Sequence, residues 1–159
     1  METEHNSTYV RTPIGPVRVT VYDGRIVRIL LPPVDGDPDS DAGAGADVDL
    51  FDDVAIQLNE YLDGRRRSFD LPTDVHGTNF QMNVWSALAE IPYGETVTYR
   101  DLADTIGHPD AQRAVGSALH ANPLPILLPC HRVVSSRRGA GGYAGGLALK
   151  RSLLDLERR

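Results

Sequence analysis

Leu128-Pro129-Cys130-His131-Arg132-Val133-Val134 is the stretch from which the rest of the chain is read. Cys130 is the only cysteine among 159 residues, and a histidine and an arginine follow it directly. The thiolate is the nucleophilic form of cysteine, and neighbouring cations favour it. An apolar run, 125–128, leads in, and a Gly/Ser/Arg-rich run, 135–142, leads out. That pattern predicts a buried strand meeting a surface loop, with Cys130 at the junction. A rigid support beside a loop is a common place for a reactive group. A lone cysteine is also a small hydrophobe that packs into cores. Both readings, reactive and structural, stand at this point.

Working upstream, Asn122-Pro123 closes a helical pattern over 110–121, with Ala111, Ala114, Val115, Ala118 and Leu119 at core spacing. Gly107-His108-Pro109 separates it from a helix over 99–106 that Thr98 can cap. Two short helices joined by a glycine-containing turn describe a helix-turn-helix. The second of them is rich in Ala and carries Gly116, so it is thin enough to lie close against a partner. Further upstream, Thr78 and Gln81 form a capping box. It opens a helix to about Ile91 with Phe80, Val84, Trp85 and Leu88 on its apolar face. Downstream, 139–146 reads as a glycine-rich loop carrying Tyr143, and 147–156 as a closing helix with Glu157 at its end.

The first half is different. Residues 8–31 alternate as a β-meander: a short strand over 9–12, a strand over 16–22 with Val17, Val19 and Val21 on one face, and a return over 25–31. Asp23-Gly24 is the hairpin signal between them. Residues 32–49 are acidic, low in complexity and nearly free of large apolar groups, which predicts a solvated loop. Its alternating aspartates suggest a calcium loop, but that template needs a closing glutamate, and none occurs there. Residues 50–62 carry Phe51, Val54, Leu58, Tyr61 and Leu62 at helical spacing, and Gly64 ends the helix. Arg65-Arg66-Arg67 reads as a solvated turn, and 69–77 as a last short strand and a linker.

Composition bounds the rest. No run approaches the ~20 apolar residues that span a bilayer, so no membrane is expected as a partner. The polar N-terminus, Met1-Glu2-Thr3-Glu4-His5, lacks a signal-peptide pattern. One cysteine excludes an internal disulfide and any multi-cysteine zinc site, so a reducing cytoplasm is expected. Net charge is −6, yet residues 1–79 hold seven Arg against fifteen Asp/Glu, while 80–159 hold nine Lys/Arg against seven Asp/Glu. The half with Cys130 is therefore mildly basic. Lys150 is the only lysine, beside fifteen arginines, and Asp outnumbers Glu sixteen to six. High negative charge with almost no lysine points to a protein kept soluble in concentrated salt, from a halophilic source.

The chain resembles the O6-alkylguanine-DNA alkyltransferases, or methylated-DNA–protein-cysteine methyltransferases. The resemblance is carried by Gly77-Thr78-Asn79-Phe80-Gln81, Ile91-Pro92-Tyr93-Gly94-Glu95-Thr96, Arg113-Ala114-Val115-Gly116, Asn122-Pro123, Pro129-Cys130-His131-Arg132-Val133-Val134 and Gly142-Tyr143-Ala144-Gly145-Gly146-Leu147. It covers nearly all of 77–159. It implies an α+β fold: a small ribonuclease-H-like sheet-and-helix domain, 1–76, then a mostly helical winged helix-turn-helix domain, 77–159. The implied reaction moves an alkyl group from guanine O6, or thymine O4, to Cys130 after base flipping, and consumes the protein. By position, His131 deprotonates Cys130 through a water, Glu157 holds the His131 ring, Asn122 braces the turn beside the cysteine, and Tyr99 approaches the base. Arg113 matches the finger that fills the gap left by the flipped base. Arg100, His108 and Ser136 match backbone-contacting positions. Val133, Tyr143, Ala144 and Gly145 match the base pocket, with Ala144 standing where some relatives have serine. The partner implied is alkylated duplex DNA, with a monomer acting alone. No cofactor is implied. Some relatives bind zinc through N-terminal cysteines, which this chain lacks, so no metal is expected. Two rivals remain: a DNA-binding regulator or damage sensor with an unreactive cysteine, and a cysteine hydrolase. Neighbours on a strand point to opposite faces, so any relay between Cys130 and His131 requires the backbone to turn at His131.

Overall fold

A computed structural model describes residues 5–34, 45–135, 143 and 145–159. The acidic segment 35–44, Ser136 and Ala144 lie outside these. The chain forms two compact units, Met1–Val75 and His76–Arg159.

In the first unit three antiparallel strands run in order: β1 (Asn6–Val10), β2 (Val17–Tyr22) and β3 (Arg25–Leu30). The expected first strand over 9–12 begins earlier and stops at Val10. Beyond it Thr12 closes a turn on Gly15, its hydroxyl donating to the Gly15 carbonyl at 2.6 Å. Asp23 and Gly24 turn the hairpin with φ of 52° and 72°, as the Asp-Gly signal requires. A bulge in the register puts Val19 opposite Ile29 but Val21 opposite Ile26. Ile26 and Ile29, three apart, therefore both face inward, which simple alternation does not allow. Helix α1 (Val48–Leu62) packs on β1, burying Phe51, Val54, Leu58 and Tyr61 at intervals of three and four. Gly64, at φ 79°, ends the turn after it. Arg65 and Arg66 pair with Asp63 and Glu60 at 3.0 and 3.1 Å, so the basic triplet is largely neutralised on its own surface turn. The last short strand expected over 69–72 does not form. A single bridge joins Ile26 to Thr73, with Ile26 N–H donating to Pro72 and Asp74 N–H to Ile26.

The second unit holds helices α2 (Asn79–Ala89), α3 (Tyr99–Thr105), α4 (Gln112–His120) and α5 (Leu147–Glu157), with two-residue parallel strands β4 (Val97–Thr98) and β5 (Val133–Val134). Thr78 and Gln81 close a reciprocal capping box, and so do Thr98 and Asp101. The second box holds the Asp101 carboxyl below its usual pKa, chiefly through the Thr98 backbone N–H. Buried Trp85 ties α2 to α4 by donating its indole N–H to the Ala118 carbonyl at 2.8 Å. Gly77 makes room for that indole, since a Cβ there would lie 2.7 Å from the ring. On α4 the buried arc is Val115, Ala118 and Leu119. Ala114, expected inward, falls just outside this arc and is exposed.

Candidate active site

The expected strand into Cys130 is not a strand. Asn122 folds the segment into a loop: its amide donates to the Leu128 carbonyl and its oxygen accepts from Leu124 N–H, both at 2.9 Å. Ile126 sits in this loop at φ +76°, a left-handed conformation that a β-branched residue adopts only under constraint from its surroundings. Cys130, His131 and Arg132 then form one 3-10 turn. The turn separates their side chains in a way a strand would not. Cys130 faces a cavity, while His131 and Arg132 reach back to α5.

Glu157 organises that buried end. Its Oε2 lies 2.8 Å from His131 Nε2. Arg132 grips the same carboxylate in a fork, Nε to Oε1 at 2.8 Å and Nη2 to Oε2 at 3.0 Å. The third guanidinium nitrogen donates to the Ile91 carbonyl at 2.7 Å. Gly94, at φ +81°, adds its backbone N–H to Oε1 at 3.3 Å. With Nε2 held by Glu157, Nδ1 is the ring nitrogen left to take a proton. Burial pushes the His131 pKa below 6.5. The Glu157 hydrogen bond and charge oppose this, and Arg132 and Lys150 add to it. Burial thus favours the neutral imidazole, the form that acts as a base.

Cys130 is 7% exposed. Burial pushes its thiol pKa up, and this outweighs a hydrogen bond from Asn122 and the charge of Lys150. The adjacent cations do not yield a resting thiolate, because Arg132 is committed to Glu157. Lys150 is instead the cation that acts on the sulfur. It is wholly buried, donates to the Val133 carbonyl at 2.6 Å, and sits 6.0 Å from the centre of the Tyr99 ring. Burial lowers its pKa to about 8.

A cavity of about 330 Å³ opens over the thiol. Tyr99, Cys130 and Tyr143 line it, together with Gln112, Gly116, Leu119 and His120, a single arc of α4. Its size falls at the low end of small-molecule sites, ~300–1,000 Å³. The Tyr143 ring meets His131 edge-on at 6.4 Å.

Comparison with known proteins agrees with this geometry. Residues 79–159 match the family described as 6-O-methylguanine DNA methyltransferase, DNA binding domain, and residues 6–75 match its ribonuclease-like domain. The chain belongs to the methylated-DNA–protein-cysteine methyltransferase family. It is 40% identical to the Mycobacterium tuberculosis methylated-DNA–protein-cysteine methyltransferase over 94% of this chain and 90% of that one. It is 48% identical to the inducible Bacillus subtilis enzyme of the same name, over 71% of this chain but 63% of that longer protein. Among solved structures, M. tuberculosis O6-methylguanine methyltransferase superposes with a TM-score of 0.84 at 38% identity, covering 98% of this chain and 93% of that one. An M. tuberculosis OGT solved in complex with DNA gives 0.83 at 37%, covering 96% and 92%.

Of the residues the family motif singles out, the structure gathers Cys130, His131, Glu157, Asn122 and Tyr99 into one cluster. Arg113, Arg100 and His108 are exposed, and the His108 ring rests edge-on against Phe80 at 5.7 Å. Val133 is buried in β5 with its carbonyl bound by Lys150, and neither it nor Gly145 lines the cavity. Ser136 and Ala144 lie outside the described residues. Sequence reasoning missed Arg132 as the second partner of Glu157, and it missed Lys150. A signal for Lys150 was present: it is the only lysine in a chain that otherwise uses arginine. Among described residues no cluster suited to a metal ion occurs, and no helix is long and apolar enough to cross a membrane.

Proposed function

We propose that the chain repairs alkylated DNA by direct transfer of a methyl or larger alkyl group from guanine O6, and from thymine O4, to Cys130. The observation that carries this reading is the buried thiol at the floor of the cavity, backed by His131 and Glu157. A thiol 7% exposed does not meet a base stacked inside a duplex, so the base is flipped into the cavity. The Cys130 proton passes to neutral His131 through a water. Sγ attacks the alkyl carbon, the carbon–oxygen bond breaks and the carbon–sulfur bond forms. The guanine recovers a proton through Tyr99. Lys150 steadies the thiolate in transit. A thioether has no hydrolytic exit, so each protein acts once. The residues at the cavity need no cofactor for this.

Arg113 fills the space left by the base, and Arg100, His108 and Ser136 hold the DNA backbone. Of the residues matched to the base pocket, Tyr143 borders the flipped base, since it lines the cavity. Domains 1–76 and 77–159 work as a monomer in the cytoplasm of a salt-adapted cell. Sixteen Asp and a single Lys support the salt adaptation. Binding and activity retained in molar potassium chloride would bear it out, and full stability in dilute buffer would count against it.

Intact-protein mass spectrometry after incubation with an O6-methylguanine duplex tests the reaction. One added methyl, mapped to Cys130 and saturating at one per protein, is the expected result. Tight binding without an adduct would instead make the chain a damage sensor.

A further inference from the structure

We propose that the outer face of the first unit's sheet is a second nucleic-acid surface, one that takes the phosphodiester backbone of duplex DNA. The inner face of this sheet is apolar and buried; the outer face is cationic. Strand pairing sets its layout. Arg18 stands between Tyr9 and Leu30 in one row, and Arg28 stands beside Thr20 in the next. Arg25 stands beside Tyr22 in the third row. Each row thus carries one arginine, and all three are exposed. The Ser7 and Thr20 hydroxyls meet at 2.8 Å on the same face. Tyr22 is exposed at 38%.

Charge segregation makes this arrangement notable. Residues 5–34 hold four arginines against one aspartate, and that aspartate, Asp23, sits at the hairpin tip. Residues 35–75 hold twelve Asp/Glu against three arginines. Among the described residues no carboxylate stands in these three rows of the sheet face. Among described residues no acid pairs with Arg18 or Arg28, and Arg25 makes only a 3.5 Å contact with the Thr73 carbonyl. By contrast, Arg65 and Arg66 of the same unit each have an acidic partner. Diagonal neighbours on a sheet lie ~7–8 Å apart, so Arg18 and Arg28, which have no acidic partner among the described residues, repel one another. A polyanion relieves that repulsion. Arginine forks match phosphate oxygens, and hydroxyls and a tyrosine add donors of the kind that contact DNA backbone. Contacts to phosphate carry no sequence information, so the contact is independent of sequence.

The test uses the full chain and an undamaged, fluorescein-labelled duplex, with anisotropy read from low to high potassium chloride. Arg18→Gln/Arg25→Gln/Arg28→Gln is compared with Arg65→Gln/Arg66→Gln/Arg67→Gln, which removes the same net charge from the same unit. Each lost phosphate contact lowers the log–log salt slope by ~0.9. The sheet variant should lose about two to three in slope and bind more weakly at low salt, while the control keeps the wild-type slope. Methyl transfer from free O6-methylguanine, which needs no DNA, should be unchanged in both. An unchanged slope in the sheet variant overturns the proposal. Equal losses in both variants also overturn it, because they would reflect net charge rather than a surface.

Discussion

The floor of the cavity and its rim are built on opposite principles. At the floor, Glu157 accepts from His131, Arg132 and Gly94, and Lys150 is bound to Val133. These groups hold one another in a single geometry. At the rim, α4 shows Gln112, Gly116 and His120 to the cavity, and Arg113 and Ala114 are exposed beside them. A Cβ on Gly116 would meet nothing within 4 Å. The floor is finished without a partner, whereas on the proposed function the rim takes its contacts from DNA. Chemistry and recognition should therefore fail separately when each is altered.

Cys130→Ala should show the largest separation. Transfer should be abolished while duplex affinity stays within about twofold of wild type, as read by adduct mass and anisotropy. If affinity collapses too, the floor shapes the rim and the comparison breaks. Glu157→Gln should come next. It keeps the volume but loses the anion that fixes the His131 tautomer, so single-turnover transfer should slow by ~10²–10⁴, the usual worth of a positioned acid–base group. Duplex affinity should again stay.

Arg132→Met tests the floor's stability. It strands a carboxylate that is 5% exposed, and breaking a buried pair costs ~3–5 kcal/mol. Arg66→Met breaks a surface pair and should cost ~0–1 kcal/mol. Urea unfolding of both variants checks the contrast, and similar losses would mean the buried fork carries no special weight.

Lys150 governs a smaller effect, in pH. His131 must be neutral to take the thiol proton. Burial lowers its pKa from the ordinary histidine value, so transfer should fade only on the acid side of the usual histidine range. Lys150 must be charged to steady the thiolate. It loses its proton at about pH 8, so transfer should also fade as pH rises through that point. Lys150→Met should be slower by some tenfold and should lose the alkaline limb while keeping the acid one. A wild-type profile still flat at pH 9.5 would remove Lys150 from the reaction.

How far these features could be read in advance depended on the distance over which they are set. Local signals were legible: the Thr78 and Thr98 caps, the Asp23-Gly24 turn, and the spacing of Phe51, Val54, Leu58 and Tyr61. Cys130, His131, Asn122 and Tyr99 stood out through the family motif, and Glu157 only through it, since a carboxylate near a chain end otherwise reads as solvated. The apolar run 125–128 suggests a strand into Cys130, and the constraint that folds it into a loop instead is Asn122 gripping Leu128 and Leu124. The β3 bulge was invisible because it depends on β2. The meeting of Arg132 with Glu157 joins positions 25 residues apart, which periodicity does not encode. Lys150 was counted as a sign of salt adaptation. A cation able to give up its charge near pH 8 cannot be replaced by arginine, so the one place lysine persists was itself a pointer to the site.

Gly116→Ala gives the smallest effect and the sharpest test of the rim. Glycine inside a helix costs ~1 kcal/mol relative to alanine. Some glycines are held in place by packing: at Gly77 a Cβ would strike the Trp85 ring. At Gly116 it would meet open space, so no described residue requires the glycine. The variant should unfold at a slightly higher temperature, by up to ~1 kcal/mol in stability. If the space over Gly116 is where DNA lies against α4, the same methyl group should weaken duplex binding and slow transfer from DNA, while transfer from free O6-methylguanine continues at the wild-type rate. A more stable protein with undiminished DNA affinity would show that the rim tolerates a side chain there, and the closest approach of the duplex would have to lie elsewhere along α4.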